Sequence, residues 1–298
     1  MYARAQRSFF LLRFLATLAA LTAWLAPAAQ AGEAVKGPCL AFPEGTTGDT
    51  VTIWWEAPAE GESWLKYSVE NAEALTVKDP AKGPRHEVKL TGLKPGALIR
   101  YEIGGAGVSD AAQFRLPDPK VKKFRFAAIG DPRAWDAAAR ALVPQLIKEE
   151  PAFVLGTGDY VHVGKSRDPK YPALEANWNE CFACLRPLLK AVPFFPALGD
   201  HEYTNDATAE AYRGIFVLPG NEYWYSFAWG NCQFLALDVT WGRKFQPGEE
   251  QWDWIEKDLA AAAGKRDLLV SFFHLPIATC GNYAKDPDNT VRGRKLLP

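Results

Sequence analysis

Four apolar runs in this chain end the same way. "FRFAAIG" runs into Asp131, "AFVLGTG" into Asp159, "VPFFPALG" into Asp200, His201 and Glu202, and "LLVSFF" into His274. Short apolar runs of this kind read as buried strands. The chain therefore leaves a core four times and each time presents an acid or an imidazole. Helical patterns lie between the runs. "WDAAARALVPQLIKEE" spaces Leu142, Val143, Leu146 and Ile147 for one face, with Pro144 marking a kink or the true start. A second helix is expected over 173–190, and "GEEQWDWIEKDLAAAA" places Trp252, Ile255 and Leu259 on one side. "YWYSFAWGNCQFLALDV" reads as a hairpin turning near Gly230-Asn231. This alternation predicts a layered α/β domain over 122–298 with mostly parallel pairing. In such sheets the loops after the strands gather at one edge, where ligands bind.

Three carboxylates brought to one edge repel and raise one another's pKa. Cations neutralise them most simply. Carboxylate oxygens with imidazole nitrogens suit divalent or trivalent Fe, Mn or Zn better than soft, thiol-seeking metals. A carboxylate shared between two such ions can clamp a phosphoryl oxygen. The alternative has the acids capping helices and His274 packed in the core. It competes at any one strand end but weakens across four in succession. His162 and His201 fall in the same windows; His86 lies in an earlier strand and reads as a half-buried neutral side chain.

Residues 37–117 follow a different pattern. "VTIWWEA" sets Val51, Ile53 and Trp55 against Thr52, Trp54 and Glu56, and "HEVKL" and "IRYEIG" alternate in the same way. Short alternating strands between Gly/Pro/Asp turns predict a small all-β antiparallel sandwich. "LPDPKVKK" then reads as a linker. Residues 1–31 carry Arg4, Arg7 and Arg13, an uncharged run from Phe14 to Ala26, and small residues at Ala29-Gln30-Ala31. That is the layout of a secretory signal peptide, with an uncleaved anchor as the alternative. The run is short against the roughly 20 residues of a membrane span, so a periplasmic or secreted protein without a span after cleavage is expected. The chain has 35 acids against 34 bases, three of the bases in the leader, so the remainder is acidic by about 4 charges. Nothing in that balance suggests a nucleic-acid groove. Of five cysteines, Cys181 and Cys184 form a CxxC inside the second helix, which reads as a packed or locally bridged pair.

In order, Gly130-Asp131, "GDYVH" from Gly158 to His162, "GDHE" from Gly199 to Glu202 and "SFFH" ending at His274 resemble the motif blocks of calcineurin-like metallophosphoesterases. "VPFFPALGDHE" and "EEQWDWIEKDL" are similar to the purple acid phosphatase branch. "LTGLKPGALIRYEIG" resembles the closing strands of fibronectin type III domains, with Ile99 where a tyrosine is usual. The resemblance implies a fibronectin III-like sandwich followed by a layered αββα domain that hydrolyses small phosphate mono- or diesters with metal-bound hydroxide at two ions. It makes Asp131 a ligand of the first metal, Asp159 the bridge, and Asp200 and His274 ligands of the second. His162 falls where the purple enzymes have a metal-binding tyrosine. His201 matches a non-ligand histidine that steadies the transition state or protonates the leaving group.

Three departures from that pattern stand out. Asp131-Pro132-Arg133 replaces D-x-H or D-x-G, so Arg133 is either a phosphate-binding fork or a salt-bridged loop residue. Asp200 stands where the family has asparagine. No G-H-x-H block follows His274, so the chain is expected to be either a fragment of an enzyme or a shortened relative. A non-catalytic exported binding or scaffold protein on an eroded phosphatase domain is the alternative function.

Overall fold

The alternating segments become seven strands: β1 (Lys36–Ala41), β2 (Val51–Glu56), β3 (Ser63–Val69), β4 (Leu75–Asp79), β5 (Arg85–Leu90), β6 (Leu98–Gly105) and β7 (Val108–Arg115). They form two antiparallel sheets, ordered β1-β2-β5 and β4-β3-β6-β7. The computed structural model describes residues 32–133, 135, 137–162, 174–240 and 245–276. The leader lies outside that set.

The alternation in β2 implies one covered face, but the structure covers both. Trp54, on the second face, meets Phe182 edge-on at 5.5 Å and lies under the Arg85 guanidinium at 3.9 Å. His86 is a correction: it is fully buried rather than half-buried, stacked on Trp55 with Nδ1 3.1 Å from Asp79 Oδ2.

From Phe126 onward two further sheets stack. β8 (Phe126–Ile129), β9 (Phe153–Gly156) and β10 (Phe194–Pro196) pair in parallel in the order β10-β9-β8. β11 (Tyr225–Trp229) and β12 (Cys232–Ala236) form the expected hairpin, and β13 (Leu268–Phe272) joins β12 in parallel. Aromatic rings fill the space between the sheets. Phe227 stacks on Phe195 at 3.7 Å and on Phe234 at 5.0 Å, while Phe153 meets Phe195, Phe227 and Phe234 edge-on. Edge-to-face and offset contacts of this kind add to the large area each ring buries.

Helices α1 (Ala137–Lys148), α2 (Leu174–Leu189), α3 (Asp200–Tyr203), α4 (Glu210–Ile215) and α5 (Glu250–Ala262) complete the described elements. Pro144 lies inside α1 rather than at its start, and Leu142 and Ile147 remain exposed. α5 sets Trp252, Trp254 and Ile255 against a small cluster of Leu235, Leu237, Val239, Phe245 and Leu275. Cys181 and Cys184 are packed in α2 as free thiols.

The core of the first two sheets runs on into that of the second pair. The seam is pinned by directional contacts. Tyr101 Oη donates to the Lys190 carbonyl at 2.8 Å, Lys190 Nζ meets Asp110 at 2.8 Å, and Arg85 donates to the Ile215 carbonyl at 2.9 Å. The edge strands β8 and β13 carry exposed Phe126, Leu268 and Leu269. Phe227 is the ring both stacked sheets share, so Phe227→Ala is expected to cost about 3–5 kcal/mol. The denaturant midpoint would fall accordingly; an unchanged midpoint would contradict the shared aromatic core.

Candidate active site

The strand ends do converge. Gly158 (φ +95°) brings the β9 loop against the loop after β10: a Cβ at Gly158 would lie 2.6 Å from the Gly199 backbone and 3.0 Å from His274 Nδ1. A Cβ at Gly199 would lie 2.3 Å from Asp159 Oδ1. The glycine before each of these aspartates is therefore a packing requirement, because only a bare backbone allows so close an approach. Asp131 (φ +54°), Arg133 (φ +24°) and Asp159 (φ +59°) all adopt left-handed backbone, which costs a side-chain-bearing residue of order 1–3 kcal/mol and clusters at working sites.

Hydrogen bonds hold these loops in place. Asp131 N donates to the Gly158 carbonyl and Arg133 N to the Asp159 carbonyl, both at 3.2 Å. Glu202 is the main clamp. Its carboxylate accepts from the amides of Asp159 (2.9 Å), Tyr160 (2.8 Å) and Gly199 (2.8 Å) while 2 % exposed. Burial, then the Asp159 charge, push its pKa up to about 7 against those three donors. Glu202 is a functional residue that the strand-end pattern does not single out. Its signal was an acid two residues beyond Asp200, where a helix turns back toward the preceding loop.

Asp159 is the hub. It is wholly buried, and Oδ1 accepts from the His201 amide at 3.0 Å. Oδ2 has no hydrogen-bond partner, although Arg133 Nη2 lies 3.0 Å away in an ion-pair contact. A buried carboxylate oxygen left bare is costly unless a cation faces it. Among the described residues, Asp131, Asp159 and His274 bring ligand atoms within 4.8 Å of one another. Asp200 reaches this group through His274, whose Nε2 lies 3.0 Å from Asp200 Oδ1 and 3.3 Å from Asp159 Oδ1. The donor set of carboxylate oxygens and one imidazole fits a divalent or trivalent ion.

The two histidines differ. His274 Nδ1 faces the Thr157 carbonyl at 2.8 Å, which can only accept, so Nδ1 carries a proton and Nε2 is turned toward the carboxylates. Such an outer partner is the usual way a metal-ligating imidazole is oriented. Burial opposes charge on this ring, but Asp159 and Asp200 outweigh it and hold the pKa up at about 10. In turn the His274 hydrogen bond, against burial, keeps Asp200 below the ordinary carboxylate range. His201 Nδ1 donates to the His162 carbonyl, and Arg133 Nη1, a pure donor, lies 3.0 Å from Nε2. His201 is therefore the neutral Nδ1–H tautomer with a lone pair on Nε2. His162 enters the network through its backbone carbonyl, and it lines, with Asp131, Arg133 and Trp135, a cavity of about 580 Å³ beside α1.

The family model for calcineurin-like phosphoesterases matches residues 124–295, more than half of the chain. The chain belongs to that family. Among curated relatives, it is 28 % identical over 222 residues to purple acid phosphatase 15 of Arabidopsis thaliana, covering 64 % of this chain and 41 % of that one. It is 24 % identical over 269 residues to the probable inactive purple acid phosphatase 1 of the same plant, covering 76 % and 42 %. The chain thus spans about half the length of the curated relatives it matches, or less. In fold it is similar to a purple acid phosphatase from yellow lupin (Lupinus luteus) seeds, with a TM-score of 0.65, 20 % identity, and 81 % of this chain and 51 % of that one covered. The structure of PhoD superposes with a TM-score of 0.61 at 17 % identity, covering 85 % and 64 %.

Two outcomes follow for the metal-free protein. Glu202→Gln turns one acceptor oxygen into a donor facing an amide, and should cost about 1–3 kcal/mol by denaturation; an unchanged stability would show that the clamp is dispensable. The raised pKa of His274 gives a stability contribution that is full below its ordinary 6.5 and lost as pH rises through about 10. Stability measured across that window should fall, and fall less in His274→Asn; equal slopes would contradict the His274–carboxylate contact.

Proposed function

We propose that this chain carries the site of an exported, binuclear metal-dependent phosphoesterase acting on small phosphate mono- or diesters. One observation carries the reading: from three strand ends, the Asp131 and Asp159 carboxylates and the oriented His274 imidazole bring ligand atoms within 4.8 Å of one another, with Asp200 joined through His274. Family membership supports the same chemistry. Asp131, Asp159 and His162 are the residues that would hold a first ion of Fe, Mn or Zn, and Asp159, Asp200 and His274 a second. When bound, such ions supply Lewis-acid charge for phosphoryl oxygens and acidify water.

The chain's own groups do the rest. Thr157 fixes His274, and Glu202 fixes the backbone of Asp159. His201 turns its Nε2 lone pair to Arg133 Nη1; once a phosphate draws that guanidinium away, Nε2 is placed to take up a proton and return it to a leaving oxygen. Arg133 offers a planar fork that matches two phosphate oxygens.

Three wider parts of the reading belong with it. The strand orders β1-β2-β5 and β4-β3-β6-β7 support a fibronectin III-like module over 37–117, with the phosphoesterase domain from 122 to 298. The leader pattern of residues 1–31 supports export to the periplasm or medium. Among the described residues no helix is long and apolar enough to cross a membrane. The rival reading, a non-catalytic binding protein, draws on the Arg133–Asp131 ion pair across the site and on a relative named as probably inactive.

Hydrolysis of an aryl phosphate separates the two readings. Purified protein reconstituted with manganese or zinc should turn over, and Asp159→Asn should lose at least about 100-fold, as expected when a group central to transition-state charge is removed. A folded, metal-free and inert wild type would favour the rival. Asp200→Asn tests the added charge: its metal content or pH–rate profile should change, with the wild-type profile lying at higher pH. If neither moves, Asp200 is no ligand.

A further inference from the structure

We infer that Arg133 itself fills one of the two cation positions, so that the resting site keeps a single tightly held ion among Asp159, Asp200 and His274. The inference rests on the metal-dependent reading above and, in the resting site, puts Arg133 in place of its first ion. Arg133 Nη2 lies 2.7 Å from Asp131 Oδ1 and 3.0 Å from Asp159 Oδ2. These are two of the carboxylates assigned above to the first ion, and the guanidinium nitrogen stands at the point between their oxygens that a shared ion would take.

The placement is built rather than incidental. The Arg133 amide is tied to the Asp159 carbonyl at 3.2 Å, its backbone and that of Asp131 are held at positive φ, and Nη1 is anchored 3.0 Å from His201 Nε2. One side chain thus spans three strand-end residues. Across the hub, His274 stands between Asp159 and Asp200 in the corresponding way. The two cations are not equivalent toward a metal, however. An imidazole can turn a nitrogen lone pair to an ion and become its ligand, whereas a guanidinium has only donors and must be pushed aside.

Formal charge points the same way. Asp131, Asp159 and Asp200 carry three negative charges; Arg133 with one divalent ion balances them, and a second divalent ion leaves an excess. Before substrate arrives, the second ion therefore meets both a like charge and occupied oxygens. A phosphate ester would then be gripped by one ion and one fork-shaped donor, a bidentate geometry that arginine favours.

The number of bound ions tests this directly. Wild-type protein and Arg133→Gln, which is neutral and of similar length, are loaded with manganese and desalted. Ions per chain are then measured by mass spectrometry and by the electron paramagnetic resonance of bound manganese. Wild type should retain about one ion and show an isolated-ion spectrum; the variant should retain about two and show a coupled pair, as in two-metal sites. Two equally tight ions in wild type, or one in both proteins, overturns the inference while leaving the phosphoesterase reading in place if turnover persists. No metal in either protein overturns both. Should Arg133→Gln fail to fold, Arg133→Lys keeps the charge but loses the fork. It should admit a second ion at higher manganese, and failure to do so also counts against Arg133.

Discussion

Like charge forced together organises this molecule's working edge. Asp131, Asp159 and Asp200 arrive from different strand ends, and Asp159 is buried with one oxygen lacking a hydrogen bond. Burying a charge without compensation is among the most expensive things a fold can do. Two fixed cations offset it in the protein as folded: the Arg133 guanidinium on one side of Asp159 and the His274 imidazolium on the other. The chemistry proposed for the site draws on the same constraint, because cations held among carboxylates would suit the oxygens of a phosphate ester.

Holding the carboxylates there requires a backbone that resists their repulsion. The stacked aromatic sheets supply the rigid floor, and Glu202 ties the loops after β9 and β10 together through three amide donors. Glycines at 158 and 199 let those loops touch. The left-handed backbone at Asp131, Arg133 and Asp159 is the local cost of aiming three side chains inward from one rim. Asp159 and Glu202 are therefore an extension of the core, with Asp131 and Arg133 at its exposed rim, and the seam pinned by Tyr101, Lys190 and Arg85 gives that core support from the sandwich side.

Much of this was legible in the residues, for physical reasons. The four strand ends could be found because apolar runs that stop at an acid or an imidazole are simple to recognise, and the topology of parallel sheets brings such ends to one edge. The α2 helix and the hairpin at Gly230 also matched their periodicity. What escaped was whatever depends on contact across the chain. The burial of Trp54 and His86 comes from elements far away in sequence, the α2 helix and the stacked Trp55 ring. The clamp role of Glu202 needs the β9 loop to lie over it, which no local pattern encodes. Arg133 was ambiguous between a phosphate fork and a loop salt bridge because both uses call for the same side chain. In the structure Arg133 forms the ion pair, with Asp131 and Asp159.

A metal centre within the carboxylate cluster is the central requirement of the proposed chemistry. Anomalous X-ray scattering from crystals grown with manganese, recorded on both sides of the metal's absorption edge, tests that most directly. A peak within bonding distance of Asp159, Asp200 and His274 is predicted. Well-ordered carboxylates still paired with Arg133 and His274, with no anomalous density among them at saturating manganese, would contradict it.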